Sequence, residues 1–495
     1  MAITKVCGIE TEFGIVHRGV SETNPISASS QLINAYVNTI NGKVGWDFED
    51  ESPGNDARGF AAEGALPPEV ETHLVNTVLT NGARYYVDHA HPELSTPECA
   101  DARSVVTYDR AAEQILIRSM EAASQLLPAG EELVVYKNNS DRKGNSYGCH
   151  ENYLMARSVP FARIVSQVTP FFITRQLVCG AGKVGSEAPG IGRDEVPFQL
   201  SQRADFFEEE VGLETTLKRP IVNTRDEPHA DPQKYRRLHV ILGDANLSEV
   251  ATYLKVGTTA IVLSMIEDEV LDRDLTFAHP VASLRRVSYD LSLADTYELA
   301  DGSTITALEV QWEYLDRAKK YAEDGGLDAV GDEIGADVLV RWEAVLTGLE
   351  RDRSSVATQV DWVAKHRLLD AYRERHQLDW DDPKMAAMDL QYHDLRPARS
   401  LAAKVSLERI TSDDEVERAV TEPPVDTRAY FRGRCLQKWA GDVVAANWDS
   451  LVFDVGEEPL RRIPMMEPTR GTKAHVGAIL DECATPLDLL ARLGS

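Results

Sequence analysis

The sequence GIETEFG, residues 8–14, places Glu10 and Glu12 two positions apart in an apolar, strand-forming context. Successive side chains of a β-strand alternate between its faces, so both carboxylates point to one face and Phe13 points to the other. Like charges side by side destabilise a sheet unless something neutralises them. A hard divalent cation with oxygen ligands, such as Mg²⁺, would do so. A solvated strand face explains the same spacing, and this motif alone leaves both interpretations open.

A second strand follows in ARYYVDHAHPELSTPEC, residues 83–99. Arg84, Tyr86 and Asp88 share one face by the same alternation, and Glu93 follows in a proline-containing turn where side chains can converge. Carboxylates act as nucleophiles or general bases when they are positioned and shielded, so Asp88 is a candidate for either role. An aspartate that simply ends a strand is the plainer interpretation of this motif taken alone.

Two more strands have polar side chains on the face away from the core. YGCHENYLM sets His150 and Asn152 on one face, and YRRLHVILG sets Arg237 and His239 on one face. Histidine can bind metal or phosphate, although a lone strand histidine is more often structural. Guanidinium groups suit bidentate phosphate binding. Four strands with acid, histidine or arginine on this face together predict a catalytic sheet face.

The hydrophobic pattern along the chain predicts an α+β protein. Alternating segments are found at 83–88, 133–138, 147–155 and 236–242, with helical patterns between them. From about residue 247 the chain becomes helical. We therefore expect a mostly antiparallel sheet with helices on one side, followed by a small C-terminal domain.

Three local features carry separate predictions. Residues 41–71 are rich in Gly, Pro and acid, which predicts a long mobile loop, and such loops inside compact domains are usually functional or disordered. Ser29 or Ser30 is expected to cap the helix that begins before QLINAYVNTI. The acidic, proline-containing stretch 410–427 predicts a linker.

Composition limits the classes of function. The net charge of −28 argues against a general nucleic-acid-binding surface, although arginines are concentrated locally at 219–237 and 428–434. Six scattered cysteines without a CxxC pair predict reduced thiols in a cytoplasmic protein. The sequence has neither a secretory signal nor the run of roughly 18 apolar residues that predicts a membrane span.

Eight motifs together resemble the Dop/PafA family, which contains the deamidase/depupylase and the ligase of the prokaryotic ubiquitin-like protein Pup. The motifs are GIETEFG, NGARYYVDHAHPE, YGCHENYL, TRDEPHAD, RRLHVILGDAN, DWVAKHRLL, DLQYHD and RGTKAHVG. They run in order from residue 8 to residue 477. The resemblance implies a glutamine-synthetase-like catalytic domain at 1–420, with a curved sheet whose concave face is catalytic and helices behind it. It also implies that the small domain at 427–495 helps to bind nucleotide.

The resemblance assigns roles to individual residues. Asp88 matches the family's catalytic aspartate, acting as nucleophile or as the base that activates water. The implied ligands of Mg²⁺ are Glu10, Glu12, Tyr86, Glu93 and His239. The implied contacts to ATP are His150, Asn152, Arg225, Arg237, Arg428, Arg432 and Trp448.

Within the family, two features resemble the deamidase/depupylase: the insertion 41–71 and the short turn DHAHPE. The implied reaction hydrolyses the carboxamide of Pup's C-terminal glutamine, and also the glutamyl–lysine isopeptide bond of a pupylated protein. Pup and pupylated proteins would be the partners, with neither nucleic acid nor membrane. The alternatives are a Pup–protein ligase acting through a glutamyl phosphate, a small-molecule glutamate–amine ligase, and an inactive Pup-binding module.

Overall fold

A computed structural model describes residues 1–49, 51–59, 75–192, 195–456 and 458–494 of the chain. The chain forms two compact units, each assembled from separated segments. Unit 1 comprises Met1–Lys5, Tyr136–Arg225 and Leu238–Ile410, and unit 2 comprises Val6–Val135, Asp226–Arg237 and Thr411–Ser495. The predicted division between residues 420 and 427 is a different one and stays a prediction.

Strands and helices are mixed along the chain, which confirms the α+β class. The strands are β1 (Cys7–Glu12), β2 (Gly14–Arg18), β3 (Val44–Gly45), β4 (Asn76–Val78), β5 (Arg84–Asp88), β6 (His91–Ser95), β7 (Glu132–Tyr136), β8 (Cys149–Ala156), β9 (Lys183–Val184), β10 (Phe198–Gln199), β11 (Phe207–Gly212), β12 (Arg219–Asn223), β13 (Tyr235–Val240), β14 (Thr296–Glu298), β15 (Thr304–Thr306), β16 (Val443–Ala446), β17 (Ser450–Phe453) and β18 (Arg461–Pro464).

The α-helices are most numerous in the second half of the chain, as the pattern after residue 247 predicts. They are α1 (Pro25–Val37), α2 (Ala102–Ser124), α3 (Phe161–Thr174), α4 (Gln176–Cys179), α5 (Glu249–Glu267), α6 (Pro280–Tyr289), α7 (Ala307–Glu323), α8 (Asp332–Arg351), α9 (Asp361–His376), α10 (Pro383–Tyr392), α11 (Asp413–Ala419), α12 (Ala429–Lys438), α13 (Lys473–Glu482) and α14 (Pro486–Leu493).

The main sheet of unit 2 has the strand order β1-β6-β5-β4-β3, and its neighbouring strands are antiparallel. Helices α1 and α2 pack on one of its faces, where the apolar side chains of Ile9, Tyr85 and Leu94 are buried. The alternation of side chains along a strand leaves Glu10, Glu12 and their neighbours on the other face. The helices therefore cover one face of the sheet, and the polar side chains collect on the opposite face.

The cap of α1 differs from the prediction. The helix begins at Pro25, and Asn24 caps it by accepting a hydrogen bond from the Ser27 N–H at 3.1 Å. Proline suits the first helical position because its missing N–H would have no partner there. Ser29 is buried inside the helix instead, and its hydroxyl donates to the Ala90 carbonyl at 2.8 Å.

The predicted linker at 410–427 is partly helical. It contains α11, whose first turn is closed by a reciprocal pair of hydrogen bonds between Ser412 and Glu415. Acidic residues at the start of a helix complement its dipole, so the acidic composition that indicated a linker also suits a helix N-terminus. Beyond it, α12 and α13 pack with the antiparallel sheet β16-β17-β18 around a shared apolar core.

In unit 1, the apolar helix α5 lies at the centre of a helical layer formed with α3, α7 and α8. Its length and hydropathy match those of a membrane span, but that stretch is entirely buried within the protein, as expected for a core helix. Two short antiparallel pairs, β9 with β10 and β14 with β15, and one parallel pair, β11 with β12, complete the unit.

Candidate active site

Three carboxylates converge on the polar face of the main sheet in unit 2. Glu12 lies opposite Glu93 in the pairing of β1 with β6, and Asp88 ends the neighbouring strand β5. One carboxylate oxygen of each residue lies within 4.8 Å of the others. Antiparallel pairing brings directly opposed side chains together on one face, so this cluster follows from the register of three adjacent strands.

Glu93 is the most buried member of this cluster. Burial raises the pKa of Glu93 well above its ordinary value of 4.5, and the carboxylates of Asp88, Glu12 and Glu10 raise it further. Burial and like charges both disfavour the ionised carboxylate. A bound divalent cation would offset both effects by stabilising its negative charge. Several carboxylate oxygens in one place form a donor set that suits Mg²⁺.

Two histidines flank the cluster, and the sequence reasoning assigned no role to them. His91 Nδ1 lies 3.2 Å from Glu12 Oε2, and His89 Nδ1 lies 2.9 Å from Asp88 Oδ2. His91 is also the residue directly opposite Asp88 in the pairing of β5 with β6. The sequence did contain a sign of this arrangement: the turn between β5 and β6 is short, so residues at the ends of the two strands must lie close together.

Arg84 is a second functional candidate that the sequence reasoning left without a role. Its guanidinium carbon lies 3.9 Å from the ring centroid of Trp46 and 4.1 Å from that of Tyr86, and its Nε donates to Asn76 Oδ1 at 3.0 Å. A guanidinium held between two aromatic rings is preorganised for phosphate. Its position two residues before Tyr86 and four before Asp88 was the available signal.

Tyr86, predicted as a metal ligand, lies on the same face. Tyr86 is directly opposite Glu93 in the sheet, and its hydroxyl is 3.4 Å from the Ser95 hydroxyl. Burial and then the Glu93 carboxylate raise the pKa of Tyr86 well above 10, so it is a neutral phenol here. A neutral oxygen beside several carboxylates is compatible with a metal ligand.

Glu10 and Arg237 also meet in unit 2. Glu10 belongs to the same face of β1 as Glu12, and Arg237 Nη1 lies 3.7 Å from Glu10 Oε1. This distance leaves the pair loosely associated, in contrast to the bidentate geometry of a tight arginine–carboxylate pair. The structure thus brings together five of the predicted site residues, Glu10, Glu12, Tyr86, Asp88 and Glu93, with Arg237 next to them.

The C-terminal arginines that are predicted to contact nucleotide, Arg428 and Arg432, both pair with one carboxylate. Arg428 Nε donates to Glu98 Oε1 at 2.7 Å, and Arg432 bonds to both oxygens of the same carboxylate and to the Trp448 carbonyl at 3.0 Å. Although burial opposes ionisation, these two guanidinium groups lower the pKa of Glu98 to about 2. Both arginines therefore join the C-terminal segment to the loop that follows β6, and their contact with nucleotide stays a prediction.

Trp448, the third predicted nucleotide contact of the C-terminal segment, lies next to the aromatic residue that covers Arg84. Its ring meets Trp46 edge-on, with the ring centroids 5.2 Å apart, and Trp46 in turn covers Arg84. The guanidinium carbon of Arg432 is 5.1 Å from the Trp448 ring. The aromatic wall beside Arg84 is therefore built from two tryptophans that lie far apart in the sequence.

The remaining predicted residues lie in unit 1. His239 Nδ1 lies 3.1 Å from Asn152 Oδ1, and the rings of His150 and His239 meet edge-on with centroids 5.1 Å apart. Arg225 follows β12, and its backbone N–H donates to Asn223 Oδ1 at 2.9 Å. The structure brings His150, Asn152 and His239 together, and the roles of all four residues stay predictions.

Comparison with known proteins gives a consistent result. Residues 5–452 match the family model described as Pup-ligase protein. The chain is 52% identical to the depupylase of Acidothermus cellulolyticus and 48% identical to the Pup deamidase/depupylase of Mycobacterium tuberculosis, over 99% of each chain in both cases. Among solved structures, the complex of Pup with its ligase PafA superposes with a TM-score of 0.80 at 32% identity, covering 99% of this chain and 94% of the ligase chain. The Pup ligase PafA in complex with ADP gives 0.74 at 37% identity, over 82% and 89%.

Proposed function

The chain belongs to the Pup-ligase protein family, and we propose that within this family it is a deamidase and depupylase of Pup. It hydrolyses the carboxamide of Pup's C-terminal glutamine to a carboxylate and cleaves the glutamyl–lysine isopeptide bond of pupylated proteins. Identity of 52% and 48% to depupylases over 99% of this chain, against 42% over 82% of this chain to the Pup–protein ligase of Acidimicrobium ferrooxidans, supports this choice. The convergence of Asp88 with Glu12 and Glu93 is the observation that carries it.

Asp88 is the group that acts on the scissile carbonyl. It ends β5 with its carboxylate partly open to solvent, and the neighbouring His89 bonds to one of its oxygens. A carboxylate in this position either deprotonates a water molecule or attacks the carbonyl carbon itself. In the first route, water adds to the carbonyl carbon and the amine leaves as ammonia or the lysine amine. In the second route, the amine leaves as Asp88 forms an anhydride with the glutamyl group, and water then hydrolyses the anhydride to the acid and restores Asp88.

The carboxylates of Glu10, Glu12 and Glu93, with the Tyr86 hydroxyl, would hold Mg²⁺. The rise in the pKa of Glu93 and the all-oxygen donor set support this assignment. When bound, Mg²⁺ supplies positive charge to the phosphates and to the oxygen on which charge develops. His239 as a ligand of a further ion belongs to the same proposal.

The proposal includes ATP in the site. A related ligase holds ADP, and the slot formed by Arg84, Trp46 and Tyr86 offers a rigid guanidinium for a phosphate. Arg237 and Arg225 would add positive charge, His150 and Asn152 would contact a phosphate, and Trp448 would close the aromatic wall. A cytoplasmic location also belongs to the proposal, and the six free, buried thiols of the described chain support it.

The test is to incubate the protein with glutamine-ended Pup, Mg²⁺ and ATP, and to follow Pup by mass spectrometry. Conversion of the terminal amide to an acid is expected, with its loss in Asp88→Asn. Asp316→Asn, at an exposed position of α7, is the matched control and should remain fully active. Undiminished conversion by Asp88→Asn would overturn the assignment of Asp88. Attachment of glutamate-ended Pup to lysines, without deamidation, would identify a ligase instead.

A further inference from the structure

Glu227 is a buried carboxylate that lies between the insertion 41–71 and the proposed metal site. Its Oε1 accepts the Ser52 N–H at 2.5 Å, and its Oε2 is 3.8 Å from Arg237 Nη2. Arg237 is held to the same residue a second time, because its Nε donates to the Glu227 carbonyl at 2.7 Å. All of these residues belong to unit 2.

The insertion is bonded to this segment at two points. Besides the Ser52 N–H, the Asn55 carbonyl accepts the Asp226 N–H at 2.8 Å. The described first part of 41–71 contains β3 as well as these bonds, and the mobility of the loop stays a prediction. Residues 60–71 lie outside the described residues. Backbone groups of the insertion thus form hydrogen bonds with both Asp226 and Glu227.

Arg237 lies between two carboxylates at nearly equal distances. Its Nη1 is 3.7 Å from Glu10 Oε1, and its Nη2 is 3.8 Å from Glu227 Oε2. Because attraction between opposite charges grows as they approach, a guanidinium released by one carboxylate moves toward the other. If Glu227 lost its charge, Arg237 would pair closely with Glu10 and compete there with a cation.

We propose that Glu227 is a positioning residue that couples the insertion to the metal site by holding Arg237 away from Glu10. This inference rests on the proposed function of Glu10 as a metal ligand. The attachment of Ser52 fixes one oxygen of Glu227, and the other oxygen lies 3.8 Å from Arg237 Nη2 and 3.8 Å from His229 Nε2. The insertion thereby tunes how strongly the site binds a divalent cation.

The insertion has a second anchor that supplies a matched control. Arg462 on β18 bonds to Asp47 at 2.7 Å and to the Ser450 hydroxyl at 2.8 Å, and it also pairs with Glu49. This anchor joins the insertion to the C-terminal sheet through residues other than Glu227 and Arg237. A substitution that loosens this anchor tests whether any weakening of the attachment of the insertion is enough to lower the affinity for a divalent cation.

The experiment measures binding of Mn²⁺ to the full-length protein by electron paramagnetic resonance, without Pup. Glu227→Gln keeps an oxygen for the Ser52 N–H but removes the charge, and it should weaken Mn²⁺ binding on the order of tenfold, a typical coupling between sites. Arg462→Met should leave the affinity within about twofold, a change too small to count as coupling. In the Arg237→Gln background, Glu227→Gln should have no further effect, because the two residues act as one unit.

Hydrogen exchange of the described part of the insertion provides a readout that is independent of the metal. Glu227→Ala should accelerate exchange around Ser52, whereas Glu227→Gln should not, and thermal unfolding confirms that each variant is folded. Unchanged Mn²⁺ affinity in Glu227→Gln, or additive effects of Glu227→Gln and Arg237→Gln, would overturn the proposal. Because neither readout uses Pup, failure to deamidate Pup would reject the proposed function and leave this result standing.

Discussion

Two buried clusters of charge in this protein have opposite designs. On the sheet face of unit 2, Glu93 is surrounded by the carboxylates of Asp88, Glu12 and Glu10, and its pKa is raised. In unit 1, the ammonium of Lys365 donates to Asp389 Oδ1 at 2.8 Å and to the Gly182 carbonyl at 2.7 Å. The first cluster gathers charges of one sign, and the second pairs opposite charges.

The unit 1 cluster illustrates a self-sufficient design. Although burial opposes ionisation, Lys365 and Arg142 lower the pKa of Asp389 to about 2. His393 Nε2 lies 2.6 Å from Lys365 Nζ, and burial together with Lys365 holds the pKa of His393 well below its ordinary value. The contrast lies in the two buried carboxylates: like charges raise the cost of ionising Glu93, whereas opposite charges lower the cost of ionising Asp389. A buried carboxylate whose charge has no compensation within the protein is therefore the better candidate for a functional site.

The largest expected effect is on catalytic activity, and it comes from a substitution in the unit 2 cluster. Asp88→Asn should lower kcat for amide hydrolysis by about 10³-fold, because it removes the nucleophile or base while keeping the shape of the side chain. Its thermal unfolding should match that of the unsubstituted protein. Single-turnover deamidation, measured alongside calorimetry, checks both parts. Loss of stability in step with activity would mean that Asp88 is structural.

The next effect is expected in the unit 1 cluster, where a substitution should lower stability and leave metal binding unchanged. Lys365→Met should cost about 3–5 kcal/mol of unfolding free energy, because it removes one of the two cations, Lys365 and Arg142, that pair with the buried Asp389 carboxylate. Mn²⁺ binding to the remaining folded protein should be unchanged. Urea unfolding gives the free energy, and Lys319→Met, which breaks a partly exposed ion pair with Glu343, is the matched control. A loss below about 1 kcal/mol, the value of an exposed pair, would contradict the structural role of this cluster.

A smaller effect concerns the nucleotide. Arg84→Lys keeps the charge but loses the planar fork between Trp46 and Tyr86, so KM for ATP should rise about tenfold, equivalent to roughly 1.4 kcal/mol. The exposed Arg351→Lys at the end of α8 is the control. Steady-state kinetics at varied ATP decides the matter, and an unchanged KM would remove Arg84 from the nucleotide site.

Another effect is a dependence of stability on pH, which appears only in acid. The folded-state pKa of Glu98, about 2, lies below its ordinary value of 4.5, so its contribution to stability is complete above pH 4.5 and disappears as pH falls toward 2. Glu98→Gln should therefore flatten the loss of stability over that window. Urea unfolding between pH 5 and 2.5 measures the slope. An identical slope in the variant would show that Arg428 and Arg432 do not hold Glu98 ionised.

The sequence was sufficient for those parts of the site that depend on one strand at a time. Alternation placed Glu10 with Glu12, and Arg84 with Tyr86 and Asp88, on common faces. It did not reveal that Trp46 covers Arg84, because that contact depends on how distant segments pair. The sequence also could not show that Arg428 and Arg432 pair with Glu98. An arginine in a sequence gives no sign of whether it binds a ligand or a carboxylate of the same protein.

The fold was predictable to a similar depth. The hydrophobic alternation identified β5, β7, β8 and β13 to within a few residues. The start of α1 was misplaced because the pair Asn24 and Pro25 forms a stronger helix start than the serines that follow. The order of strands in a sheet is set by pairing across the chain, and local patterns do not contain it.

The most direct test of the central claim compares unfolding free energies of the unsubstituted protein and Glu93→Gln, each in EDTA and in saturating Mg²⁺. Removing a carboxylate that its surroundings disfavour should stabilise the metal-free protein by about 1–2 kcal/mol, the scale of one pKa unit. In Mg²⁺ the order should reverse, because the unsubstituted protein gains a ligand that the variant binds poorly. If Glu93→Gln were the less stable protein in EDTA as well, Glu93 would not belong to a cation site with Glu10 and Glu12.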